Sequence, residues 1–217
     1  HVERLLREPV VFGELVGGPT ERERAREVGV AGRFAVAREE VEEELVDLAK
    51  GAQRQPQYLA LNPNGKVPTL VDGDLKLHEC YAIMIDLSEK TGRRELYPDE
   101  LAVRTEINRW LFWCANEWSP VIGRLTFENM LKPMLGQGSA DPARVQESEA
   151  AFKQHAGVLN AHLAQHDYVA GSALSLADFA LAAGLAHAVP AKLPMAGFGN
   201  IQAWLARIEK LPAWQAT

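Results

Sequence analysis

Apolar and polar positions along this chain follow two different periods, and the change of period marks a change of architecture. Thr69-Leu70-Val71 and Leu75-Lys76-Leu77 are short β-forming runs separated by Asp72-Gly73, the pattern of a tight antiparallel hairpin. From Cys80 the spacing turns helical: Cys80, Ile83, Met84 and Leu87 share one face, and Gly92 closes the segment. Upstream, Val10–Val16 reads as a first strand, Ala31–Val41 as a first helix and Glu44–Leu48 as a second strand, together a β-α-β start.

Beyond Thr91–Leu101, a linker rich in charge and turn formers, every strong signal is helical. Val103, Ile107, Trp110, Leu111 and Cys114 lie on one face; Phe152, Ala156, Leu159 and Leu163 on another; Ile201, Trp204, Leu205 and Ile208 on a last helix stopped by Leu211-Pro212. Ser175-Leu176-Ala177-Asp178-Phe179 is a capping box with Asp in the place of Glu or Gln, flanked by Leu174 and Phe179 at hydrophobic-staple positions. Pro133, Gly136 and Gly138 interrupt the pattern, so Phe127–Gly138 reads as a loop. The expected domains are 1–90, mixed α/β, and 102–217, all-α, joined by 91–101.

Composition narrows the class of function. At 217 residues and 47% hydrophobic content the chain can build a sizeable core. A net charge of −6 and a pI near 5.6 argue against nucleic acid or an anionic membrane as partner. No stretch reaches the roughly 18 apolar residues of a spanning helix. Cys80 and Cys114 give no disulfide framework, and a reducing cytoplasmic location is expected. The histidines show no spacing with Cys or acidic partners that makes a metal site, so none is expected.

Asn62-Pro63-Asn64-Gly65 is a turn cluster, and Pro68 follows it where a strand should begin, although proline cannot donate to a ladder. A trans proline on an edge strand is one explanation. A cis peptide is the other: it turns the N–H and C=O of Val67 outward, where an extended peptide ligand can pair with them. The run Asn62-Pro63-Asn64-Gly65-Lys66-Val67-Pro68-Thr69-Leu70, followed by Glu79-Cys80-Tyr81-Ala82-Ile83, resembles the glutathione-binding half of the glutathione transferase family, in its cytosolic, bacterial-type form. The capping box extends that likeness into the C-terminal half, over about Glu43 to Trp214. The resemblance implies a thioredoxin-like α/β domain with a cis-proline, then an all-α helical-bundle domain. It implies an enzyme, a homodimer, and conjugation of glutathione's thiolate to small hydrophobic electrophiles with glutathione as co-substrate and no cofactor.

Carried over residue by residue, the resemblance assigns glutathione binding to the Val67 backbone beside Pro68, to Glu79 and Cys80 for the γ-glutamyl end, and to Gln53, Arg54 and Lys66 for the glycine carboxylate. Cys80 stands where the family has Ser, and a thiol is the weaker donor. Trp113, Trp118, Phe127 and Met130 are candidates to line an apolar surface for the electrophile. The family places a Ser, Tyr or Cys after the first strand to stabilise the thiolate. Before Tyr58 this chain has no Ser, Tyr or Cys, and Thr20 is the one hydroxyl there, equally suited to be a helix N-cap. From Glu21 to Glu44 every residue except Phe34 is Glu, Arg, Ala, Val or Gly, a bias that a shifted reading frame over part of the segment would explain. Two further readings stay open: a non-catalytic glutathione-transferase-like binding module, and a thiol redox protein that uses Cys80 with glutathione.

Overall fold

A computed structural model describes residues 9–14, 42–48 and 50–215, with side chains from residue 44 onwards. Contacts divide the chain after Arg93 into two compact units. The first carries a four-stranded sheet of β1 (Pro9–Glu14), β2 (Glu42–Asp47), β3 (Thr69–Asp72) and β4 (Leu75–His78) in the order β2-β1-β3-β4. β1 pairs parallel with β2, Pro9 opposite Glu42 through Glu14 opposite Asp47, as a β-α-β start requires. The helix expected over Ala31–Val41 lies outside the described residues. β3 runs antiparallel to both β1 and β4.

The hairpin differs from the sequence reading by one residue. Asp72 still pairs with Leu75, so the two-residue turn is Gly73-Asp74 and not Asp72-Gly73. Gly73 has φ 58°, and glycine accepts this positive angle at no steric cost. The carboxylate of Asp72 is thereby kept on the strand, where it meets Lys90 at 2.5 Å. A short helix α1 (Pro56–Leu59) precedes the turn cluster, and α2 (Cys80–Lys90) follows β4. Leu70, Ile83, Met84 and Leu87 are 5% exposed or less, the helical face read from the spacing with Leu70 from the sheet.

The second unit is helical. α3 (Leu101–Trp113), α4 (Ser119–Thr126) and α5 (Lys132–Met134) form one continuous run interrupted by two π turns, Cys114–Trp118 and Phe127–Leu131. Ser119 N–H donates to Cys114 C=O and Lys132 N–H to Phe127 C=O, each five residues back. Each is followed at once by a proline, Pro120 and Pro133. In an α-helix a proline ring collides with the carbonyl four residues earlier and cannot donate to it. One extra residue in the turn moves that carbonyl aside, which is how the helix passes both prolines. The loop expected over Phe127–Gly138 is therefore helical to Met134, and only the positive-φ residues Gly136 and Gly138 end it.

α6 (Pro142–Leu163), α7 (Leu176–Leu185), α8 (Gly199–Ile208) and α9 (Pro212–Gln215) complete the unit. Its core stacks Trp118 on Phe152 at 5.1 Å and buries Trp110, Trp204, Leu159 and Leu181 to 2% exposure or less. The capping box forms as read: Asp178, fully buried, accepts from Ser175 N and Oγ at 2.9 Å each, from Val169 N at 2.8 Å and from Trp204 Nε1 at 2.9 Å. Among the described residues no helix is long and apolar enough to cross a membrane.

Candidate functional site

The hairpin brings together the two motifs that the sequence separates. Thr69, the first residue of β3, lies opposite His78, the last of β4, so Val67-Pro68 and Glu79-Cys80 emerge side by side at one end of the sheet. The Val67–Pro68 peptide is cis. Neither the N–H nor the C=O of Val67 is taken by another described residue, and its side chain packs on Val46 and Tyr58. An edge with an unused donor and acceptor can pair with an extended peptide.

Glu79 is the N-cap of α2 and sits at φ 75°, ψ 112°. A β-carbon is disfavoured at that angle by about 1–3 kcal/mol, and such strain concentrates at functional positions. The Glu79 side chain is 76% exposed and does not cap its own helix. The first-turn amides of α2 make a positive end, with Cys80, a half-exposed thiol, as first helical residue. A carboxylate beside a helix N-terminus offers one site for an ammonium group and one for a carboxylate, a pair that matches a free α-amino acid end.

The other candidate groups come from the turn preceding β3. Ala52–Arg54 forms a short 3-10 turn against the Asn62–Gly65 cluster, so close that a Cβ on Gly65 would lie 3.1 Å from Gln53 O. Gln53 is half-buried and its Oε1 has no hydrogen-bond partner; Arg54 and Lys66 are exposed cations. Arg54 ends the 3-10 turn and Lys66 immediately precedes Val67, and either cation suits a second carboxylate. Thr20 lies outside the described residues.

Three residues to which the sequence reading gave no role in the site hold this loop: Tyr58, Asn62 and Thr69, at 6%, 2% and 0% exposure. The Tyr58 hydroxyl donates to Lys66 C=O at 2.6 Å, and burial pushes its pKa above the ordinary phenol value. The available signal was a Tyr, an Asn and a Thr at the edges of a turn motif, which periodicity alone reads as solvent-facing.

In the helical unit the candidates separate. Trp118 is a correction: it is wholly buried, stacked on Phe152, with Nε1–H donated to Leu181 C=O at 3.1 Å, and has no surface for a ligand. Met130, 9% exposed, also belongs to the packing. Phe127 keeps 36% exposure. Trp113 is half-buried, edge-on to Trp110 at 5.2 Å and to His155 at 5.9 Å. Among the described residues no group of three or more His, Cys, Asp or Glu could hold a metal ion.

The sequence model of the glutathione S-transferase N-terminal domain matches residues 22–85, and that of the C-terminal domain matches residues 122–212. The first match reaches into the compositionally biased segment, beyond the likeness read from Glu43 onwards. Glutathione S-transferase F10 of Arabidopsis thaliana is 34% identical over 181 residues, covering 78% of this chain and 81% of the relative. Glutathione S-transferase 3 of Zea mays is 36% identical over 177 residues, covering 79% of each. Among solved structures, glutathione S-transferase I bound with lactoylglutathione superposes with a TM-score of 0.78 at 27% identity, covering 96% of this chain and 97% of the other. Glutathione S-transferase I from maize in complex with an atrazine glutathione conjugate gives 0.76 at 26% identity, covering 96% and 95%. With both domain models matched in order and relatives above 30% identity along most of their length, the chain belongs to the glutathione S-transferase family, enzymes that use glutathione as co-substrate.

Proposed function

We propose that this protein joins the sulfur of glutathione to small hydrophobic electrophiles, working as a cytoplasmic homodimer. The observation that carries the reading is the juxtaposition at the end of β3 and β4: a peptide edge at Val67 that no other described residue takes, beside a strained Glu79 at the start of α2. The tripeptide lies extended on Val67. Its γ-glutamyl ammonium meets the Glu79 carboxylate, its α-carboxylate the first amides of α2 at Cys80, and its glycine carboxylate Arg54 and Lys66, with Gln53 beside them. The thiol gives its proton to solvent water, the thiolate sulfur bonds the electrophilic carbon, and the leaving group departs as an anion with the pair of the bond that breaks.

A free thiol has a pKa near 8.5, and lowering it to about 6.5 takes about 2.7 kcal/mol of thiolate stabilisation. One hydrogen bond to the anion supplies much of that, and Thr20 is the hydroxyl assigned to it. Trp113 and Phe127 give the electrophile apolar surface.

Turnover of a chlorodinitrobenzene with glutathione tests the reading, with Thr20→Ala as the diagnostic variant. Conjugation that falls at least tenfold in Thr20→Ala supports it; conjugation indifferent to the change removes Thr20 from the role. The second reading, a glutathione-binding module without turnover, is favoured by Cys80 in the serine position and by the lack of Ser, Tyr or Cys before Tyr58. Calorimetric binding of glutathione without conjugation would establish it.

A further inference from the structure

Four polar atoms behind Val67 close into a ring, and the direction of every bond in it is fixed. Tyr58 Oη–H donates to Lys66 C=O at 2.6 Å, because a carbonyl can only accept. The hydroxyl has spent its one proton, so the 2.8 Å contact with Thr69 Oγ1 must be a donation from Thr69 to Tyr58. Asn62 Oδ1 accepts from Asn64 N–H at 3.0 Å, which turns Nδ2 inward. Its two protons go to Lys66 C=O at 2.7 Å and to Thr69 Oγ1 at 3.3 Å. Every donor of the cycle is used, and the three side chains that form it are more than nine-tenths buried. Burial keeps the Tyr58 phenol above its ordinary pKa, so it stays a donor across the range in which the enzyme works.

The two anchor points of the ring, Lys66 C=O and Thr69 Oγ1, bracket Val67-Pro68 on either side. We infer that Tyr58, Asn62 and Thr69 are positioning residues for the co-substrate: they touch no ligand, and they fix the plane of the Val67 peptide against which the tripeptide pairs. This rests on the functional reading above and adds to it the residues that set the precision of the peptide-binding edge. A lost bond lets that edge tilt, which weakens pairing with glutathione while leaving the electrophile surface of the other unit alone.

Steady-state kinetics with glutathione and a chlorodinitrobenzene varied independently, together with calorimetric binding of glutathione, test this on Tyr58→Phe, Thr69→Val and Thr69→Ser. Tyr58→Phe and Thr69→Val, each of which removes two bonds of the ring, are expected to raise both KM and Kd for glutathione at least about fivefold, with KM for the electrophile unmoved. Thr69→Ser keeps the hydroxyl and returns KM towards wild type. Ile107→Val, a core change in the helical unit with a comparable loss of thermal stability, leaves KM for glutathione where it was. Tyr58→Phe that folds and binds glutathione as wild type does overturns the inference, and so does Ile107→Val raising KM equally. Wild-type protein that gives no heat with glutathione instead overturns the functional reading beneath it.

Discussion

Glu79 and Cys80 are adjacent residues under opposite constraints. Glu79 is held at φ 75°, where glycine would rest without strain and an alanine would pay the same penalty as glutamate. Glu79→Gly is therefore expected to be about 1 kcal/mol more stable than Glu79→Ala in urea unfolding, while both lose glutathione binding by tenfold or more in calorimetry. A stability order that reverses would remove the strain argument. Cys80 is the first residue of α2, and its thiol is a weaker donor than the hydroxyl of a serine would be. Cys80→Ser is expected to tighten glutathione by up to about fivefold, read as a lower Kd; an unchanged Kd would mark the thiol as packing.

At the scale of elements, two helix ends each place a titratable side chain under burial. Asp178 accepts two donors on each carboxylate oxygen, and burial nevertheless holds its carboxyl above the ordinary value. An amide in its place would turn an NH2 towards two donors whichever way it faced. Asp178→Asn is expected to cost about 3 kcal/mol and to lower the melting temperature by about 6–12 °C in calorimetry. His162, near the end of α6, donates from Nε2 to Val169 C=O at 2.9 Å, and burial holds its pKa below the ordinary imidazole value. A depressed base stabilises the fold above about pH 6.5, where it is neutral in both states, and loses that contribution as pH falls through its native value. Glu106 opposes the loss, while Arg109 and the stacked His166 at 4.2 Å add to it. Wild type is thus expected to lose more stability than His162→Gln between pH 7.5 and 5, measured by urea unfolding at each pH.

For the whole molecule, sedimentation is expected to give about twice the chain's 23.9 kDa, as a homodimer requires. How much of the protein could be read without coordinates follows from the range of the interactions involved. The strands Val10–Val16 and Glu44–Leu48, the hairpin, the α2 face and the Ser175 box are written in patterns spanning a few residues; the second strand and the hairpin turn lie one or two positions from their expected places, and the α2 face and the box stand as read. Side-chain period and cap chemistry are local properties, so sequence alone determined them. The loop expected over Phe127–Gly138 failed because the π turn Phe127–Leu131 carries the helix past Pro133, and the buried Glu128 within that turn accepts from Asp141 N–H at 2.9 Å, thirteen residues on.

Sequence alone therefore determined the two halves of the fold, the turn motif and the pair at the start of α2. Only tertiary structure decided that Trp118 is core, that Tyr58, Asn62 and Thr69 close a ring around one carbonyl, and that α8, whose own N-cap Phe198 offers no side-chain bond, is capped by Asn160 Oδ1 at 3.0 Å. The reason is desolvation: a buried polar group must find its partner wherever the fold places one, across eleven residues for Tyr58 and Thr69 and forty for Asn160 and Asn200, and no local pattern records that distance.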